Sequence, residues 1–122
     1  MMLDRTCTAS AHLLALIVIL TVFAAHSMAE SRFIALSIRG GVLPADQRLI
    51  RVRQGDEVTL QWTTDKKVTI HLHGYDIETA LTPDAPATIR FSARATGRFP
   101  IEVHGTTRGP EVTLGYLEVH PR

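Results

Sequence analysis

From Ile34 onward the chain places an apolar residue at every second position for a few residues, then stops at glycine, proline or aspartate. Side chains alternate across a strand with a period of two, so this pattern describes a half-buried sheet and excludes a helical bundle. Ile34, Leu36 and Ile38 form one such set before Gly40-Gly41. Ile50 and Val52 form another before Gln54-Gly55-Asp56. Val58, Leu60 and Trp62 precede Asp65-Lys66-Lys67, and Val68, Ile70 and Leu72 follow it. Ile89, Phe91 and Ala93 come after the proline-bearing stretch 83–86. Phe99, Ile101 and Val103 follow Gly97, and Val112, Leu114, Leu117 and Val119 finish the chain. About seven short strands at regular spacing predict an all-β sandwich with Greek-key connections. Pro83 and Pro86 argue against a helix over 75–87, where a single helical turn is the most that fits. The last run changes phase near Gly115, so one extra residue must be absorbed there, by a bulge or by a strand switching sheets.

The first 29 residues stand apart from this pattern. Arg5 gives a weakly basic start, residues 13–25 are almost wholly apolar, and Ser27-Met28-Ala29 supplies small residues for a signal peptidase. The apolar run is shorter than the roughly 20 residues a spanning helix needs. We therefore expect a signal peptide over 1–29, cleaved after Ala29, and a single mature domain over 30–122. The expected location is periplasmic or secreted, with membrane contact only through the signal peptide. Cys7 precedes the apolar run, so it cannot become a lipidated amino terminus, and it is the single cysteine of the chain. The mature domain has neither disulfide nor thiolate chemistry, and its stability must come from packing. Lysine plus arginine number 13 against 12 acidic residues, scattered along the chain, which gives no footprint for nucleic acid.

The candidate functional residues are His71 and His73 in Ile-His-Leu-His-Gly and His104 in Glu-Val-His-Gly. If Val68, Ile70 and Leu72 face the core, His71 and His73 face away from it. By the same parity Glu102 and His104 face outward when Ile101 and Val103 face inward. Gly74 and Gly105 end the two runs. Histidines at i and i+2 stand about 6.5 to 7 Å apart at the backbone, close enough to lean onto one ion at bonds of about 2 Å. A third imidazole would complete a three-nitrogen set suited to copper, zinc, nickel or iron, among which ligand type alone does not choose. The bland reading is three unrelated surface histidines. Glu102 reads as a surface carboxylate or as an oxygen ligand or outer partner of such a site. Trp62 reads as core, Arg51 and Arg53 as a solvated strand face, and His120 as a solvated terminal residue.

Several segments resemble the cupredoxins. Val52-Arg53-Gln54-Gly55-Asp56-Glu57-Val58-Thr59-Leu60 is similar to that family's Gly-Asp turn entering a strand. Ile70-His71-Leu72-His73-Gly74-Tyr75 resembles the segment carrying its first histidine ligand, and Ala95-Thr96-Gly97-Arg98-Phe99 resembles the approach to its copper-binding cysteine. The likeness runs over most of 48–119. It implies a cupredoxin-like sandwich whose strand order brings His71 and His104 to one end. Where the family places its cysteine this chain has Val103, and the three methionines (Met1, Met2, Met28) all precede the mature domain. A blue copper centre needs a thiolate, so the family's electron-carrier role is not implied. The implied site is copper(II), or zinc, on His71, His73 and His104 alone.

His-Leu-His-Gly also resembles a multicopper oxidase motif, and His-x-His occurs in copper/zinc superoxide dismutases. The mature chain has only four histidines (71, 73, 104, 120), too few for either metal cluster. No nucleophile–base set and no phosphate loop is evident, so the expectation is a binding protein and not an enzyme. Three readings follow: an exported copper-binding protein for sequestration, delivery or tolerance; a metal-free module that binds another exported protein; and an immunoglobulin-like adhesion domain, which no cysteine pair supports.

Overall fold

The computed structural model describes residues 28–104 and 109–122. Most of the expected signal peptide, Cys7 and Gly105 lie outside the described residues. Eight strands follow one another: β1 (Ser31–Ile38), β2 (Leu49–Arg53), β3 (Glu57–Thr64), β4 (Val68–Leu72), β5 (Ile77–Leu81), β6 (Ala87–Ser92), β7 (Gly97–His104) and β8 (Val112–His120). A 3-10 turn at Ala45–Gln47 is the only helical piece among the described residues.

The strands form two sheets, one ordered β1-β3-β6 and the other β2-β8-β7-β4-β5. β1 runs parallel to β3 and β2 parallel to β8, while the remaining pairs are antiparallel. Parallel neighbours cannot be joined by a tight hairpin. The chain accordingly alternates between sheets, β1 to β2 to β3, which ties the layers together. The alternating runs named from sequence supply the core: Leu36, Ile38, Leu60 and Trp62 from one sheet meet Ile70, Leu72, Ile101 and Leu117 from the other, each at most 2% exposed. Each such burial contributes roughly 1.5–3 kcal/mol. Trp62 is core, as its parity requires, although its indole nitrogen has no hydrogen-bond partner among the described residues.

One strand was not foreseen. The stretch 75–87 holds no helical turn. It contains β5, an edge strand paired antiparallel to β4, from Val68 opposite Leu81 to Leu72 opposite Ile77. Only Leu81 of β5 is buried, because an edge strand needs little of its own apolar face.

The phase change near Gly115 is a β-bulge. Ile101 pairs with Gly115 and Glu102 with Thr113, which leaves Leu114 unopposed. Leu114 and Leu117 are buried, whereas Val112 at the start of β8 stays 49% exposed. Glycine is required at 115, since a Cβ there would lie 2.4 Å from the Arg48 carbonyl oxygen. That carbonyl accepts the Tyr116 N–H at 2.9 Å and fixes the approach of β2 to the bulge. The extra residue has a second effect. Without it, Thr113 and Glu111 would share the parity of Leu117 and face the core. With it, Thr113 turns to the outer face of the five-stranded sheet opposite Glu102, and Glu111, just before β8, lies beside His104.

Candidate metal centre

β4 and β7 lie side by side, with His71 opposite Glu102 and Thr69 opposite His104. His73 follows β4 and is pinned by its own N–H, which donates to the Pro100 carbonyl at 3.1 Å. Gly74 then turns sharply with φ +79, and a Cβ at that position would fall 2.2 Å from the Phe99 ring. Phe99 stacks edge-on to Tyr75 at 5.1 Å between ring centroids. The Tyr75 hydroxyl donates to the Ala95 carbonyl at 3.0 Å. Partial burial of that ring raises its phenol above the ordinary value, against the Ala95 hydrogen bond and Arg94, so it stays neutral. This aromatic cluster holds the loop after His73 in place.

All three sequence-predicted histidines sit on the outer face and are half-buried. The rings of His71 and His73 are 4.1 Å apart and those of His71 and His104 6.2 Å apart. His73 and His104 flank His71 on opposite sides along the strands, four register positions apart, or roughly 13 Å of backbone.

Carboxylates occupy the space between them. His73 Nε2 lies 2.7 Å from Glu102 Oε2, His104 Nε2 lies 3.5 Å from Glu111 Oε1, and His71 Nε2 lies 3.7 Å from the fully exposed Asp76. Thr113 Oγ1 donates to Glu102 Oε1 at 3.4 Å. A hydrogen bond from the Glu111 carboxyl holds Glu102 below the ordinary carboxylate range against partial desolvation, with His73 and Thr113 adding to the effect. The donor atoms of His73, Glu102 and Glu111 all fall within 4.8 Å of one another. The sequence offers Glu102 as a surface carboxylate, an oxygen ligand or an outer partner of such a site, and does not single out Glu111. The one signal for Glu111 is the phase change at Gly115, which sets the facing of residues 112–114 immediately after Glu111.

The donors gathered here are imidazole nitrogens and carboxylate oxygens, a set that suits borderline divalent ions. The site is open and lies on a sheet face. A polar cleft of about 390 Å³ lies elsewhere, beside Glu30, Arg32, Arg53, Asp56 and His120.

No protein-family model matches the chain, and no curated protein matches it. Solved structures do. The blue copper oxidase from Nitrosomonas europaea is similar at 27% identity and a TM-score of 0.57, over 76% of this chain and 40% of that one. This chain thus spans about two fifths of that oxidase. One chain of a heme-copper terminal oxidase dimer matches at 17% identity and TM-score 0.59, over 90% of this chain and 97% of its own. A copper binding protein in its apo form matches at 12% identity and TM-score 0.57, over 76% and 98%. With its two interlocked sheets and these neighbours, the chain is a cupredoxin-like β-sandwich.

Proposed function

We propose that this is an exported copper(II)-binding protein whose non-blue site uses His71, His73 and His104, and that it serves copper sequestration, delivery or tolerance. The observation that carries this reading is the pair of outward rings of His71 and His73 at 4.1 Å, with the His104 ring 6.2 Å from that of His71, on one face of a sandwich similar to solved copper proteins. Residues 30–122 offer no thiolate, so copper held there would lack the intense blue charge-transfer band. Imidazole and carboxylate donors fit Cu(II), with zinc as the competing ion. When bound, the ion would supply a fixed positive charge beside the carboxylates of this face. Export rests on the leader pattern of residues 1–29. The reading is tested by replacing His71 and His73 together with alanine. Stoichiometric Cu(II) binding should be lost, and undiminished affinity would sink the assignment.

A second reading has one observation in its favour. Each histidine already faces its own carboxylate, so the face is paired without any ion and could serve as a polar protein-binding surface. That reading requires one melting temperature in copper, in zinc and in chelator.

A further inference from the structure

We propose that Glu102 and Glu111 enter the metal shell as oxygen ligands, which makes the site a mixed nitrogen–oxygen centre and not a histidine-only one. The inference rests on the copper-binding reading above and concerns the same face. His73 and His104 are about 13 Å apart along the backbone, and the two carboxylates stand between them. His73, Glu102 and Glu111 already hold their donor atoms within 4.8 Å, and the 2.7 Å between His73 Nε2 and Glu102 Oε2 is close to the spacing of adjacent ligands around an ion with bonds of about 2 Å. The His71 ring packs 4.1 Å from that of His73, with its Nε2 3.7 Å from Asp76, so it joins the shell only by turning away from that carboxylate. His104 approaches Glu111 from the far side. Hard oxygen donors favour a divalent ion and disfavour Cu(I), which prefers soft sulfur.

The test is Cu(II) and Cu(I) titration of residues 30–122, with electron paramagnetic resonance of the Cu(II) form, for the parent and for Glu102→Gln and Glu111→Gln. The inference expects each variant to lose at least tenfold in Cu(II) affinity, a changed copper hyperfine splitting, and weak Cu(I) binding by the parent. Tight binding with affinity and spectrum unchanged in both variants would overturn it while leaving the histidine site standing. Absence of tight binding in the parent would overturn both.

A different observation carries a second inference, which rests on cleavage after Ala29. The Glu30 backbone nitrogen lies 3.3 Å from Asp56 Oδ1, and the Glu30 carbonyl accepts the Glu57 N–H at 2.9 Å. Glu30 is thus held in place from its C-terminal side, and Asp56 is only 2% exposed. We infer that processing converts this amide into an ammonium docked on Asp56, a charged contact that takes over at Asp56 as cleavage removes the Met28 carbonyl reached by Arg122. Chains beginning at Glu30 with a free or an acetylated amine, unfolded in urea, decide this. The free amine should raise the midpoint, and Asp56→Asn should erase the difference. Equal midpoints for the free and acetylated chains would overturn it.

Discussion

Asp56 and Glu102 are both carboxylates gripped by several donors, yet they sit in opposite circumstances. Asp56 is buried in the turn between β2 and β3, where it accepts the Arg53 N–H at 2.9 Å and the Glu30 N–H, and pairs with Arg122. Burial alone would raise it, but those hydrogen bonds and the Arg122 charge outweigh burial and hold it below its ordinary value of 3.8. Its partners are backbone amides and a guanidinium, none of which can give way to another ligand at neutral pH. Glu102 stands on an open sheet face, and its partners are an imidazole, a hydroxyl and a second carboxyl. Those groups are of the kinds that can ligate a metal or exchange a proton. The first carboxylate is saturated and serves the fold. The second is satisfied only by groups that an ion could take over.

The contrast is broken most forcefully at Asp56. Asp56→Ala should cost about 3 kcal/mol, toward the lower end for opening a buried ion pair because Arg122 is partly exposed. Against a typical stability of roughly 5–15 kcal/mol this is a large shift in urea midpoint. Because the native group titrates below its unfolded value, its contribution is complete above about pH 4 and lost as pH falls through the native value. The variant should therefore have a flatter acid limb in a stability–pH profile.

Next in size is the ion itself. Cu(II) at about 100 times its dissociation constant should raise unfolding free energy by about 2.7 kcal/mol. The His71→Ala, His73→Ala pair should abolish that increment, and Asp56→Asn should keep it. Gly115→Ala should cost roughly 1–3 kcal/mol as the Arg48 carbonyl is pushed away. It should also weaken copper binding, because the bulge sets where Glu111 stands. The smallest effect belongs to the histidine pair without metal. In chelator, replacing both should change stability by no more than about 1 kcal/mol, since the rings are half-buried and their carboxylate pairs face solvent on at least one side.

Much of this was legible before the fold was known. Period-2 parity placed Ile70, Leu72, Ile101 and Val103 in the core and the three histidines outside it, because parity is a local property of a strand. β5 was not legible: Ile77-Glu78-Thr79-Ala80-Leu81 buries one residue and sits between turn-forming neighbours, so its pattern is too weak to read. The pairing of Asp56 with Arg122 joins residues 66 positions apart, which no local pattern reports. Glu111 falls between these cases. The phase change at Gly115 sets the facing of the residues just after it, but the approach of Glu111 to Glu102 depends on which strands become neighbours.

The most direct test of the account is a calorimetric Cu(II) titration of residues 30–122, followed by electron paramagnetic resonance of the complex. The account predicts one equivalent bound tightly, with nitrogen hyperfine structure and no intense blue band. Weak binding without stoichiometry would contradict it and make this histidine–carboxylate face an ordinary polar surface.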